Sequence, residues 1–393
     1  MSAPRRRKPR FRFPWREGNA FRLLADGDAF FPAMLGAIAE AREEVLLETY
    51  LVESGRLMDH FIDLLAAAAR RGVAVRVLLD DYGARGLAAA DRDRLQAAGV
   101  QLLFYNRLRY GAWRNNLYRD HRKLLMVDRR VAFVGGAGLT DDFDPRVAGP
   151  AFWRDIMLEI RGPVLADWRV LFAEVWQATG GHFPGPGDTP AAAGSVTGRV
   201  VHSAHGRCQE INRSVIAALR RARHRIWITT PYFVTSHKLR RLLRRAARHG
   251  LDVRLLLPGP YSDHPWVTHA ARARYGRLLR HGVRIFEFAA GFSHAKAILV
   301  DDWTSIGSSN LDRWNQHFNL DANQETRSPE FAREVAAWFE ARFRDGTELD
   351  WVQWRRRPWR QRLREWFFNL VVLWLDRMFG HGSEDRRRRT EDR

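Results

Sequence analysis

The chain of 393 residues repeats its own order of elements, and that repeat limits its fold more than any other feature. A helical pattern over 30–43 precedes a strand over 45–50, a helix over 59–71, Gly72 and a strand over 73–79. Later the order returns as a helical stretch over 209–224, a strand over 226–230, a helix over 237–249, Gly250 and a strand over 251–257. A further block pairs Ala98-Gly99-Val100 and a strand over 102–105 with His281-Gly282-Val283 and a strand over 285–288. Alternating strands and helices predict α/β architecture with largely parallel sheets, made as two similar halves. Residues 178–198 are rich in Gly, Pro and Ala and read as a linker. The expected division is a basic aromatic tail (1–19), a first half (20–177), the linker, a second half (199–345), and a C-terminal apolar helix with a charged tail (346–393).

Each half then reaches the same short pattern. The first is His121-Arg122-Lys123 followed by four apolar residues and Asp128; the second is His294-Ala295-Lys296, four apolar residues and Asp301. Each predicts a strand ending in a turn at the Asp. Residues two apart on a strand share a face, so His and Lys project together while the Asp has the opposite parity. The His–Lys pairs are therefore the chemical groups, and the Asp holds the turn or pairs with a basic residue elsewhere. Two such pairs meeting across a pseudo-twofold axis would surround a phosphate. One His would attack phosphorus, the other would protonate the departing oxygen, and the lysines would neutralise the non-bridging oxygens. The sequence leaves open which His attacks.

Downstream, Gly307-Ser308-Ser309-Asn310 offers small residues and donors to a phosphate, with Ser308 and Asn310 as candidates. The first half keeps only glycine and alanine at the matching place, ending in Gly138. Asp155 and Asp321 sit at matched positions and are candidates to hydrogen-bond the far ring nitrogen of each His. Glu48, in an otherwise apolar strand, is a weaker candidate to face the site.

Composition adds two constraints. The chain carries 65 basic and 45 acidic residues, a formal charge of +20, which implies an anionic partner. Of the basic residues only four are lysine (Lys8, Lys123, Lys238 and Lys296), so two of the four occupy the same place in the two motifs. Ammonium and guanidinium are not interchangeable, and the coincidence marks a position where arginine will not serve. The single Cys208 excludes an internal disulfide framework and a cysteine-rich metal site, and reads as a free buried thiol. The N-terminus lacks the apolar run of a secretory signal. Residues 1–16 combine seven basic side chains with Phe11, Phe13 and Trp15, and Trp366–Leu375 is uncharged, flanked by Arg362, Arg364 and Arg377. Both features favour an anionic membrane surface over nucleic acid as the partner. Arg386–Arg389 are nearly cancelled by neighbouring acids and read as a solvated tail.

Taken together, DHRKLLMVDRRVAFVGG, SHAKAILVDD, GSSNLDRWNQHFNLDAN, LLADGDAFFPAML and VLLETYLVESG resemble the phospholipase D superfamily, and within it bacterial cardiolipin synthases lacking N-terminal transmembrane helices. The resemblance spans about residues 20–345. It implies two α/β halves with the site between them, no metal and no cofactor, and a covalent phosphohistidine. It further implies His121 as nucleophile, His294 as general acid and then base, and Lys123, Lys296, Ser308 and Asn310 on the phosphate. Asp128 and Asp301 complete the catalytic motif of the family. The implied reaction moves a phosphatidyl group from one phosphatidylglycerol to another, releasing glycerol, at the cytoplasmic face of the cell membrane. A phospholipase D-type hydrolase, a nuclease or phosphodiesterase on nucleic acid, and a non-catalytic anionic-surface binder are the competing readings. Gly138 departs from the family, where Asn is frequent.

The lysine argument has a direct test. Lys123→Arg should lower turnover while leaving vesicle binding unchanged, as read by product formation and co-sedimentation on one preparation. Normal turnover would show that the lysine bias carries no chemistry.

Overall fold

The structure, a computed structural model, describes residues 11–111, 115–185, 187–204 and 208–380. The first half runs through β1 (Arg16–Ala25), α1 (Gly27–Ala39), β2 (Glu44–Thr49), α2 (Arg56–Arg70), β3 (Ala74–Asp80), α3 (Ala89–Ala97) and β4 (Gln101–Tyr105). It closes with β5 (Arg119–Asp120), β6 (Leu124–Val127), β7 (Val131–Gly135), α4 (Pro145–Ala148), β8 (Ile156–Arg161) and α5 (Leu165–Ala178). The second half opens with β9 (Val196–Ala204), β10 (Cys208–Gln209), α6 (Glu210–Arg221), β11 (Arg225–Thr229), α7 (His237–Arg248), β12 (Asp252–Pro258), α8 (Pro265–Arg272), α9 (Tyr275–Leu279) and β13 (Arg284–Phe288). It continues through β14 (Ala297–Val300), β15 (Trp303–Gly307), α10 (Arg313–Phe318), β16 (Asn319–Arg327), α11 (Pro329–Arg344) and β17 (Gly346–Glu348). Helices α12 (Trp351–Arg355) and α13 (Trp359–Gly380) end the described chain.

The repeat is visible in the pairing. The first sheet has the order β1-β8-β7-β6-β2-β3-β4, and the second β9-β16-β15-β14-β11-β12-β13, with β17 added at the edge. Within these two orders only β2-β3-β4 and β11-β12-β13 are parallel, so the expectation of largely parallel sheets is corrected to mixed ones. The reason is local. Each motif turns at its Asp into a hairpin, β6–β7 and β14–β15, and a hairpin makes its strands antiparallel. Helices α2 and α7 both stop at a glycine with positive φ, Gly72 at 90° and Gly250 at 83°, where a side chain would be strained.

Three apolar layers hold the molecule. One cluster packs α1 and α2 on the outer face of the first sheet, through Phe31, Phe61 and Val77 among others. A second packs α6, α7 and α9 on the second sheet. Between them, the inner faces of both sheets share one cluster with α5 and α11, including Leu158, Trp168, Leu299 and Phe339. Trp168 of α5 donates its indole N–H to Gln324 of β16 at 2.9 Å, so the polar end of a buried ring also ties one half to the other.

Two further expectations change here. The first strand begins at Arg16, inside the segment read as a tail. The aromatic set ahead of it packs on the protein rather than facing a membrane. Phe13 is buried, and the Arg199 guanidinium lies 3.8 Å from the Phe11 ring centre and 4.5 Å from that of Trp15. Cation–π contact with a buried arginine competes successfully for these rings. Residues 1–10, with Lys8, and the charged tail over 381–393 lie outside the described residues. Much of the linker is also held against the body, with Phe183 buried and the Gly185 carbonyl accepting from Arg169 at 2.6 Å.

The motif aspartates hold turns. Asp128, at φ 51°, accepts from the backbone N–H of Arg42 (2.9 Å), Glu43 (2.7 Å) and Glu44 (3.0 Å). Asp301, at φ 50°, accepts from Arg223 (2.8 Å), His224 (3.0 Å) and Arg225 (3.0 Å). Each carboxylate thus anchors the start of the neighbouring strand, β2 or β11, and the grouping of Asp128 and Asp301 with the catalytic set is corrected to this structural role. Parity is the reason, since the seventh residue from His faces away from it. Asp301→Ala should lower stability by roughly 1–3 kcal/mol in urea unfolding, leaving orphaned amides. The folded fraction should keep its turnover; a loss of turnover at unchanged stability would return the Asp to the chemistry.

Candidate active site

The two motifs converge on one cavity of about 850 Å³, lined at its polar end by His121, Lys123, His294 and Asn310. His and Lys of each motif lie in the extended segment just before β6 or β14. Their side chains share a side, as their spacing predicts. Lys123 Nζ donates to the His121 carbonyl at 2.7 Å, and Lys296 Nζ to the His294 carbonyl at 2.5 Å.

The aspartates are shared crosswise. His121 Nδ1 lies 3.0 Å from Oδ1 of Asp321, and His294 Nδ1 lies 2.8 Å from Oδ2 of Asp155. Backbone pairing imposes the exchange. β16 of the second half pairs in parallel with β5, and the His121 N–H donates to the Leu320 carbonyl at 2.9 Å, next to Asp321. In mirror fashion Arg154 bridges Ser293, and the His294 N–H donates to the Arg154 carbonyl at 2.8 Å, next to Asp155. An N–H on Nδ1 donated to a carboxylate leaves Nε2 of His121 with a free lone pair.

The halves then differ. The Ser308 hydroxyl donates to Asp321 at 2.7 Å and accepts from the Ala322 N–H at 3.1 Å. Ser308, expected on the phosphate, instead fixes the carboxylate behind His121. At the matching place, a Cβ on Gly136 would lie 2.5 Å from the Asp155 carboxylate, so Asp155 occupies the space a serine would need. Gly138, which matches Asn310, has Leu51 against it, with a Cβ built there 2.8 Å from the Leu51 carbonyl oxygen. An asparagine cannot enter without moving that backbone. Asn310 is itself buried, and its Oδ1 has no hydrogen-bond partner among the described residues. Glu48 does not line the cavity. It pairs with Arg122 at 2.5 Å, and Arg122 also reaches Asp120 at 3.3 Å.

Burial sets the protonation states. It pushes His121 down to about 4, helped by Lys123 and opposed by Asp321. It pushes His294 well below the ordinary imidazole value, with Lys296 acting in the same direction. Rings of Phe143, Trp153 and Phe292 surround His294 at 5.6, 6.1 and 5.9 Å, which supplies the desolvation. Burial and Lys296 bring Lys123 to about 7; burial, against Asp155, brings Lys296 to about 8. Asp155 rises to about 6, again through burial.

Sequence reasoning missed several lining residues. Tyr50 lies edge-on to His121 at 5.1 Å, with Lys123 Nζ 5.4 Å from its ring centre, and Tyr232 donates to Asp263. The signal was present, because Tyr50-Leu51-Val52-Glu53-Ser54 recurs as Tyr232-Phe233-Val234-Thr235-Ser236. Away from the cavity, His202, Cys208 and Glu210 place potential metal-ligand atoms within 4.8 Å of one another. Cys208 is a free thiol, half-buried rather than fully so.

This geometry can be set beside known proteins. The family model described as "Cardiolipin synthase, PLD-like domain" matches residues 34–143 and 215–343, one segment in each half. The chain belongs to that family. It is 34% identical over 330 residues to cardiolipin synthase B of Salmonella typhimurium, covering 79% of this chain and 76% of the relative. It is 32% identical over 351 residues to a cardiolipin synthase of Geobacillus kaustophilus, covering 87% of this chain and 70% of the relative. The fold is also that of phosphatidylserine synthase from Haemophilus influenzae, at a TM-score of 0.71 and 13% identity over 91% of this chain and 94% of that one. Both family segments lie before α12 and α13.

The depressed lysines set a pH dependence. In the empty site each loses its positive charge as pH rises through its own value, and a bound anion then loses its partner. Affinity for glycerophosphoglycerol should therefore fall as pH rises through about 7 to about 8, by calorimetry. Unchanged affinity up to the ordinary lysine range would contradict the burial argument.

Proposed function

We propose that the protein is a cardiolipin synthase-type phosphatidyltransferase working through a phosphohistidine. The observation that carries this reading is the pair of His–Asp dyads meeting at one cavity, with a buried lysine held beside each histidine. Family membership supports the phosphatidyltransferase class, and phosphatidylglycerol is the substrate we assign.

His121 is neutral at physiological pH, and its Nε2 lone pair attacks the phosphorus of the first phosphatidylglycerol. Asp321, held by Ser308, keeps the Nδ1 proton and stabilises the charge that forms on the ring. Lys123, Lys296 and the amide of Asn310 neutralise the non-bridging oxygens. An arriving phosphodiester anion offsets the two ammoniums, which allows His294 to take up a proton. His294 gives that proton to the departing glycerol oxygen, with Asp155 behind it. It then takes the proton from the hydroxyl of a second phosphatidylglycerol, whose oxygen attacks the phosphohistidine to give cardiolipin and free His121. Ser308 backs the carboxylate behind His121 and the Ile156 N–H backs the one behind His294, so the nucleophile role of His121 rests on the family resemblance. The reaction takes place at the cytoplasmic face of an anionic membrane.

Incubation with defined phosphatidylglycerol should yield cardiolipin and glycerol, and His294→Ala should allow a phosphorylated His121 to be trapped and located by mass spectrometry. Both His→Ala changes should lower turnover by at least about 10²-fold. Phosphatidic acid as the sole lipid product would instead make the protein a hydrolase, and label on His294 would exchange the two roles.

A further inference from the structure

Helix α13 buries one face and exposes an apolar one. Its inner face lies on α8 and the residues just after it: Phe368 stacks on His269 at 5.6 Å, buried Glu365 pairs with Arg272 at 3.5 Å and with Arg357 at 2.6 Å, and Asn369 accepts from Arg274 at 3.1 Å. Trp359, Leu363, Trp366, Phe367, Leu370 and Trp374 are all exposed on the other side, Trp359 to 67% and Trp374 to 57%. At 3.6 residues per turn these six fall within an arc of roughly 100°. Exposed Arg360 and Arg364 border the arc on one side and Arg362 on the other, and Arg355 and Arg356 precede it. From 355 to 375 the only acid is Glu365, which is buried in its ion pairs. No helix among the described residues is long and apolar enough to cross a membrane.

The same helix also lines the catalytic cavity. Val372, Leu373 and Leu375 line it together with Val234, Trp266, Val267 and the two histidines. Leu373 and Trp266 are each 39% exposed as well, so the apolar wall continues out of the cavity onto the surface. The rim is basic: α7, whose first turn lines the cavity through His237 and Arg240, exposes Lys238 and Arg241 next to them.

We propose that α13 is an in-plane membrane helix, seated on an anionic phospholipid leaflet, whose inner face is the wall for an acyl chain of the lipid being transferred. The acyl-chain part rests on the phosphatidyltransferase reading; the seating does not. Aromatic and aliphatic side chains enter the acyl boundary, and the flanking arginines reach the headgroups. An anionic leaflet fits because the stripe and the rim expose cations and the helix has no exposed acid over 355–375. Continuity between stripe and cavity lets a lipid enter the site with its tail never leaving an apolar surface.

The test uses the full chain. The variant W366S/F367S/L370S/W374S changes exposed residues outside the cavity. It should lose at least about tenfold in co-sedimentation with phosphatidylglycerol vesicles, at unchanged circular dichroism. Its turnover of micelle-free dihexanoyl phosphatidylglycerol should stay within twofold of the parent. Val372→Trp should keep vesicle binding but lose turnover of dioleoyl lipid far more than of the dihexanoyl one. Wild-type vesicle binding by the fourfold variant would overturn the seating, as would a dimer lost in that variant while vesicle binding persists. Equal loss on both chain lengths in Val372→Trp would overturn the acyl wall. If the parent turns over neither lipid, the catalytic reading and the acyl wall fall with it, and vesicle binding still decides the seating.

Discussion

Everything at the centre of this molecule depends on the exchange of aspartates between halves. His121 is oriented by Asp321, and His294 by Asp155. Each carboxylate is delivered by a backbone crossing, the Leu320 carbonyl to the His121 amide and the Arg154 carbonyl to the His294 amide. Neither half therefore holds a complete dyad. A ring hydrogen-bonded on Nδ1 has one tautomer, and a buried carboxylate with a fixed partner keeps it so. The shared central core, with Trp168 reaching Gln324, makes that crossing rigid rather than incidental.

The empty site is electrostatically unfavourable, and that is how it selects its ligand. Burial lowers both lysines, Lys296 lowering Lys123 further, and their charge adds to the burial that keeps the imidazoles neutral. Asp155 and Asp321 offset only part of this. A phosphodiester brings the missing negative charge and restores the lysines to their cationic form. Burial that costs stability in the free protein thus becomes affinity for one kind of anion. The apolar residues on the other side of the cavity, those of α13 among them, strengthen these charges by lowering the local dielectric.

The repeat and the two motifs were legible because they are written twice. A single His-x-Lys on a strand carries little information, but two in the same context, holding half of the chain's lysines, carry much more. Parity also separated Asp128 and Asp301 from the His–Lys face, and their contacts with strand-opening amides show why. Residue type alone does not give position. The Ser308 hydroxyl suits a phosphate, yet it serves Asp321. Glu48 stands out in an apolar strand, yet Arg122 pairs with it away from the cavity. Phe11, Phe13 and Trp15 look like membrane anchors in sequence and are covered by Arg199 and the body of the protein.

Sequence alone determined what is local or repeated: the order of elements, the His–Lys spacing, the turn at each Asp and the apolar character of α13. Those features depend on neighbours a few residues away, or on a pattern that can be matched with itself. The tertiary structure alone decided which Asp serves which His, why Gly136 and Gly138 break the symmetry, and that α13 shows one apolar face to solvent and another to the catalytic cavity. Each of these depends on residues far apart in the chain meeting in space. Periodicity has no record of such meetings.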